Sequence, residues 1–324
     1  MPRWLLAALV AVLAAGALLW FDLKGDWERQ AAEGAALIEV EVPKGASLAA
    51  AADRLKAAGV IESAPRLLFA ARLFGGGRAI QPGVYEFRAG DGLGAILGRM
   101  QRGEVVTLKL VIPEGLPGVL VHERLMAAPR LTGAVDVPAE GTVLPATWDY
   151  RPGESRAAVL QRMQQGMART LAELWETRTP AAAVATPEEA VILASIVEKE
   201  TGVASERRRI AGLYSNRLRA GMKLEADPTV IYPVTKGKPL GRRIRQSELK
   251  ADTGWNTYAR AGLPKGPITN PGRESLAAVL DPEVHDNLFM VADGSGGHAF
   301  AATYAEHREN VARWFALRRE RGEM

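Results

Sequence analysis

The sequence predicts an α+β protein carried on one N-terminal transmembrane helix, with a small module and then a larger mixed helical and β domain. Three observations lead there. Residues 4–21 (WLLAALVAVLAAGALLWF) are an unbroken, uncharged apolar run. Short alternating strands followed by capped helices recur between residues 38 and 112. Beyond residue 153, longer amphipathic helical patterns take over.

The apolar run sits at the short end of the ~17–25 residues that cross a bilayer. Met1, Pro2 and Arg3 precede it, and Asp22, Lys24 and Asp26 follow. Arg3 and the α-amine favour residues 1–3 inside and residues 22–324 outside the cytoplasm. Ala14-Ala15-Gly16 offers a signal-cleavage alternative, but cleavage there would leave Leu18 to Phe21 as an apolar stub. Trp4 and Trp20 bracket the run as interfacial aromatics, which favours an anchor.

Composition narrows the remainder. With 48% hydrophobic and 24% charged residues, a packed globular chain is expected rather than disorder. The net charge of +4 is spread over interleaved acids and bases, so nucleic acid is not an expected partner. The absence of cysteine removes disulfides, thiolate metal sites, Cys nucleophiles and a lipid-modified Cys anchor.

Residues 22–37 look like a polar linker. Ile38, Val40 and Val42 then alternate with Glu39 and Glu41 as a half-exposed strand. Pro43-Lys44-Gly45 ends it, and Ser47 can cap a helix from Leu48 to Ala58, stopped by Gly59. The unit recurs as the strand Val84 to Phe87, the turn Ala89-Gly90-Asp91 and a helix bearing Leu93, Ile96, Leu97 and Met100. A third copy begins at Leu108–Ile112, with Pro113-Glu114-Gly115 as its turn. Such a module, built by repetition, suits either a polymer-binding unit or a spacer.

The chain is loop-rich from Pro129 to Gly153. Glu154 to Trp175 reads as an amphipathic helix with Leu160, Met163, Met167, Leu171 and Leu174 facing a core. Thr186 caps the next helix, Pro187 takes its first position, Glu189 completes a capping box, and Gly202 serves as a left-handed stop. Ile192, Leu193, Ile196 and Val197 form its apolar face, and the same spacing continues onto Glu200. Glu198 lies about 200° away around the axis, so the two glutamates cannot pair. A carboxyl against apolar side chains has a raised pKa, as a general acid needs. Periodicity leaves a second reading open, an ordinary Glu paired with Lys199 or with Arg207 to Arg209.

Residues 194–232, ASIVEKETGVASERRRIAGLYSNRLRAGMKLEADPTVIY, resemble the signature of the endolytic murein transglycosylases, the YceG-like family. The likeness continues through Trp255-Asn256-Thr257-Tyr258, Gly262-Leu263-Pro264, Asn270-Pro271-Gly272, and Phe289 to Gly294 with Gly296 to Phe300. Upstream, Val111 to Gly115, Glu140-Gly141 and Leu144-Pro145 also fit, so the resemblance spans roughly residues 38–315. Glu225 stands where Gln is common, Trp255 where Tyr is common, and Thr142-Val143 replace aromatic positions.

The resemblance implies that the second Glu of E-K-E-T, Glu200, is catalytic. It further implies a LysM-like module at 38–104 and a transglycosylase domain at 105–324, with the substrate a peptidoglycan strand. One carboxyl would protonate the oxygen between N-acetylmuramic acid and N-acetylglucosamine, then take the C6 hydroxyl proton as a 1,6-anhydro end closes. By analogy, such an enzyme acts beside wall synthases and limits strand length. Candidate sugar contacts are Ser205, Glu206, Asn216, Asp227, Thr229, Tyr232, Asn256 and Tyr258. Each also has a structural reading, such as Ser205 as a helix cap and Asp227 as a turn residue.

No cofactor or metal is expected. His122, His285, His298 and His307 lack zinc-like spacing, and only His298, in a Gly-rich turn, is placed to border a cleft. A Lys199 Schiff-base enzyme lacks a phosphate-cradling helix start nearby. The rival from another class is a non-catalytic peptidoglycan-binding scaffold of the wall-synthesis machinery, for which a semi-buried Glu200 would have no use.

Overall fold

The computed structural model describes residues 3–323. The mixed α+β class holds, and two compact units divide at Leu108/Lys109, with Asp149–Gly153 belonging to the first.

The first unit starts with α1 (Arg3–Glu28), one continuous helix whose apolar portion is fully exposed and long enough to cross a membrane. It runs on through the polar stretch after Phe21, because Leu23 and Trp27 find apolar partners there. Next come β1 (Leu37–Val42), α2 (Leu48–Ala57), α3 (Ala64–Phe74), β2 (Gly83–Arg88) and α4 (Leu93–Arg102). β1 and β2 pair antiparallel, with Val40 opposite Tyr85 and Ile38 opposite Phe87. That register puts Val40, Val42, Tyr85 and Phe87 on the buried face and Glu39 and Glu41 outside, as alternation demands. Ser47 caps α2 by accepting the Ala50 N–H. Leu55, Leu67, Ile96, Leu97 and Met100 complete the core.

α3 is not among the helices expected from the sequence, although Ser63 caps it and Pro65 lies in its first turn. Each of the three expected strands is followed by a helix, but the third copy does not join the sheet of the first two. β3 (Leu108–Ile112) pairs with β4 (Ala146–Tyr150), a strand inside the stretch read as loop, and joins neither β1 nor β2.

The second unit continues with α5 (Gly118–Ala127), α6 (Arg156–Glu176), α7 (Pro187–Glu200), α8 (Arg207–Arg219), α9 (Asp227–Thr235), α10 (Gln246–Lys250) and α11 (Arg273–Leu280). The antiparallel hairpin β5 (Phe289–Ala292) and β6 (His298–Ala301) and then α12 (Tyr304–Glu320) close it. α7 is the central helix. Leu193, Ile196 and Val197 are fully buried against Ile210 and Leu213 of α8 and Leu276 and Val279 of α11. Met163 and Met167 of α6 are buried core residues, as their spacing predicts.

Buried Asn270 holds the segments around this helix together. Its side-chain oxygen accepts the Val143 N–H at 3.0 Å and its amide donates to the Leu116 carbonyl at 2.9 Å. Asn270→Ala would leave the buried Val143 N–H without its acceptor and remove one of two donors to the Leu116 carbonyl, at a cost of about 1–3 kcal/mol. A thermal unfolding midpoint within a degree of wild type would contradict that role.

Candidate active site

The helix carrying Glu200 is secured at both ends. Thr186 caps α7 by accepting the Glu189 N–H at 3.2 Å. The Glu189 carboxylate accepts the Ala185 N–H at 2.6 Å, so the clasp reaches one residue further back than a capping box. At the other end, Thr201 is extended (φ −139°, ψ 138°) and no left-handed glycine is used. The Thr201 hydroxyl accepts the Val203 N–H at 2.9 Å and donates to Glu206 at 3.2 Å, which satisfies the exit without Gly202.

Glu198 and Glu200 diverge as helical geometry requires. The Glu198 carboxylate accepts the Gly272 N–H at 3.0 Å and the Ser275 hydroxyl at 2.7 Å, against the start of α11. Glu200 instead lines a cavity of about 360 Å³ with Tyr214, Arg217, Glu225, Asp227, Tyr258, Phe289, His298, Tyr304 and His307. Its Oε1 is buried without a hydrogen-bond partner among the described residues. Burial raises the carboxyl from 4.5 to about 7, and the Asp227 carboxylate adds to the rise. The Tyr214 hydroxyl and the Arg217 guanidinium oppose it less strongly. The pairing with Arg207 to Arg209 does not occur: Arg207 meets Glu114, Arg208 meets Asp281, and Arg209 lies over the Phe300 ring. At neutral pH a large share of Glu200 therefore keeps its proton, in a cavity open to a ligand.

The surrounding groups are held rigidly. Arg217, 7% exposed, donates to the Leu288, Lys223 and Leu224 carbonyls at 2.6, 3.1 and 2.8 Å and to Glu225 at 3.3 Å. The Tyr258 hydroxyl donates to Asp227 at 2.7 Å, and burial followed by this contact raises its pKa. Burial likewise raises Tyr214, so both phenols stay protonated donors. Glu206 sits behind the wall rather than in it. Its carboxylate accepts the His298 backbone N–H at 2.8 Å and contacts Nδ1 at 2.9 Å. The ring meets Glu206 through Nδ1, which leaves Nε2 as its other polar atom. Gly297 permits this approach, because a Cβ there would lie 2.6 Å from the Glu206 oxygen.

Of the predicted contacts, then, Glu200, Asp227 and Tyr258 meet in one cavity, and Glu206 supports its edge. The others are placed elsewhere. Ser205 is exposed on the turn Ala204–Glu206, and α8 has no side-chain cap. Asn216 donates to the His285 and Asn287 carbonyls. Thr229 bonds Thr257, and Asn256 gathers the carbonyls of Glu248, Leu249 and Ala251. Tyr232 packs on Trp255, with ring centroids 5.3 Å apart, and bonds Glu140. Glu140 is itself lifted to about 7, mainly by burial, while accepting the Gly118 N–H at 2.8 Å.

Tyr214 and Arg217 are absent from the contacts expected of the sequence, although a signal was present. Ile210, Leu213, Tyr214 and Arg217 follow the i, i+3, i+4, i+7 stripe of one helical face, with a cation at its end. Glu225 adopts φ +54°, a left-handed conformation uncommon for a non-glycine residue.

Several known proteins resemble this chain. An endolytic murein transglycosylase of Bacillus subtilis (strain 168) is 24% identical over 316 residues, covering 88% of this chain and 86% of its own length. An endolytic murein transglycosylase of Streptococcus pneumoniae serotype 2 is 31% identical over 179 residues, covering 53% of this chain and 32% of its own. A crystal structure of a YceG-like protein from Listeria monocytogenes superposes with a TM-score of 0.51 at 27% identity, covering 85% of this chain and 99% of that one. The YceG-like family pattern matches residues 40–313, most of the chain, and the protein therefore belongs to the YceG-like family.

Proposed function

We propose that this chain is an endolytic peptidoglycan lytic transglycosylase, with Glu200 as its acid and then its base. The observation that carries the reading is a buried carboxyl, raised to about 7 by that burial, whose Oε1 has no partner among the described residues and which lines an open cavity with Asp227, Tyr258 and Arg217. In the first step the Glu200 proton passes to the glycosidic oxygen between N-acetylmuramic acid and N-acetylglucosamine, and the C1–O bond breaks. The positive charge growing at C1 is met by substrate groups and by the negative end of the site, Asp227 and Glu225. In the second step ionised Glu200 takes the proton of the muramic acid C6 hydroxyl, whose oxygen closes onto C1. The product ends in a 1,6-anhydro ring, no water is consumed, and the acid is restored.

The same reading extends to the rest of the chain. Residues 4–21 would be a single-pass anchor with residues 1–3 cytoplasmic, residues 38–104 a LysM-like glycan-binding module, and residues 105–324 the catalytic domain. The first unit has its own sheet and core, which supports an independently folding module. Cleavage within new strands would limit their length beside the synthases that make them.

The test is digestion of purified glycan strands by the full chain in detergent, with mass spectrometry of the new ends. Anhydro ends from wild type and none from Glu200→Gln are expected. Reducing ends would mean a hydrolase with a second working carboxylate. Binding without any cleavage would favour a scaffold of the wall-synthesis machinery.

His298 is expected to help position the sugar through Nε2. His298→Ala should slow cleavage about 10-fold or more, as loss of one positioned polar group does. Its unfolding midpoint should stay near wild type. An unchanged rate would remove His298 from the working site.

A further inference from the structure

We propose that the exposed face of α3 in the first unit lies on the membrane surface, with Phe69 and Leu73 entering the interfacial layer of the bilayer. The proposal rests on the reading of residues 4–21 as a transmembrane anchor.

Phe69 and Leu73 are 57% and 46% exposed, although nothing in the fold of the first unit requires bare apolar side chains there. They stand four residues apart, on one face of the helix. Arg72 is exposed beside them, and Arg78 is exposed in the segment that follows the helix, basic groups suited to anionic headgroups. Exposed apolar side chains with an arginine beside them on one helix face fit an interfacial helix.

Contacts with α1 fix the depth of this face. Phe74, the last residue of α3, meets the Trp20 ring edge-on at 5.0 Å and the Trp27 ring at 5.4 Å. Near the first turn of α3, Arg66 donates to Asp22 at 2.6 Å and to Asp26. Both ends of α3 thus meet α1 between residues 20 and 27, so α3 crosses α1 instead of running along it. That level is where the apolar run ends, at Trp20 and Phe21. With α1 along the membrane normal, α3 lies close to the membrane plane.

The rotation of α3 follows from its periodicity. At about 100° per residue, Arg66 and Phe74 fall on the α1-facing side, and Ala64 and Leu67 turn into the core. Phe69 and Leu73 then fall on the side away from that core. The charged strand face and the core of this unit cannot enter hydrocarbon, so the side away from them is the one that faces the bilayer.

Because the chain has no cysteine, single-cysteine variants report one position each. Phe69→Cys, Leu73→Cys, Val12→Cys in the anchor and Lys56→Cys on the exposed side of α2 would be labelled with an environment-sensitive nitrobenzoxadiazole dye. Each full-length variant is reconstituted into vesicles of phosphatidylethanolamine and phosphatidylglycerol, with nitroxide lipids as quenchers. The expected result is blue-shifted, lipid-quenched emission at positions 12, 69 and 73 and water-like emission at 56. A lipid-like signal at 12 with water-like signals at 69 and 73 would overturn the proposal and leave the anchor standing. A water-like signal at 12 would overturn the anchor and, with it, this proposal.

Discussion

Glu200→Gln is expected to lower the rate of strand cleavage by roughly 10³-fold and, above neutral pH, to make the protein more stable. The rate effect follows from the removal of the only group assigned both proton transfers, a contribution of about 10²–10⁴-fold for one positioned acid–base. The wild-type rate should itself fall about tenfold for each further step of one in pH above about 7, where Glu200 loses its proton.

The stability effect comes from the same burial. The folded protein holds the Glu200 proton up to about pH 7, whereas the unfolded chain releases it near 4.5. Between those values the folded state binds more protons, so wild-type stability declines as pH rises through the interval. Glutamine has the shape of the protonated acid and carries no such penalty. The variant should match wild type at pH 4 and exceed it at pH 8 by up to about 3 kcal/mol, since each tenfold change in proton affinity is worth about 1.4 kcal/mol. Glu140 titrates in the same range in both proteins and cancels from the difference. Denaturant melts at pH 4, 6 and 8 would measure this. A difference that stays flat with pH would mean that Glu200 is ionised in the folded state, and the acid role would go with it.

Arg217→Met should cost about 3–5 kcal/mol, the largest loss expected from one substitution around the cavity. Three backbone carbonyls and the Glu225 carboxylate would lose a buried charged donor at once. Those carbonyls belong to the approach to β5 and to the loop that delivers Glu225 and Asp227, so cleavage should fall with stability. For a domain of this size each kcal/mol is worth about 2–4 °C, which predicts a drop of roughly 6–20 °C. Arg217→Lys keeps the charge without the planar fork and should fall between the two. A melting point within a degree or two of wild type for Arg217→Met would refute this account.

That Glu200 continues the apolar face of Ile192, Leu193, Ile196 and Val197 was legible in the sequence because a helical face is a local property, whereas its role as the acid was implied by the family likeness. The divergence of Glu198 was legible for the same reason. The alternation of β1 and the cap at Ser47 needed only a few neighbouring residues. α3 was harder to read, since Leu67, Leu68, Phe69, Leu73 and Phe74 put apolar groups nearly all round it and blur the helical period. β4, Ala146-Thr147-Trp148-Asp149-Tyr150, has none of the Leu, Val and Ile that mark the equally short β3, so it does not stand out from the surrounding loop. Ser205, Asn216, Thr229 and Asn256 were polar residues of the right kind near the right motif. Whether such a residue faces a sugar or a backbone carbonyl depends on partners that no local pattern encodes.

By itself, then, the sequence determined the apolar span, the α+β class, the helix bearing Glu200 and the family likeness, each resting on side chains within a few turns of one another. Only the tertiary structure decided what surrounds the acid. Glu206 meets His298 across 92 residues, Arg217 meets Leu288 across 71, and Tyr258 meets Asp227 across 31. It also decided how far the Glu200 carboxyl is raised, because a raised pKa depends on the loss of water around a carboxyl, and that loss exists only once α7, α8 and the β5–β6 hairpin have closed around it.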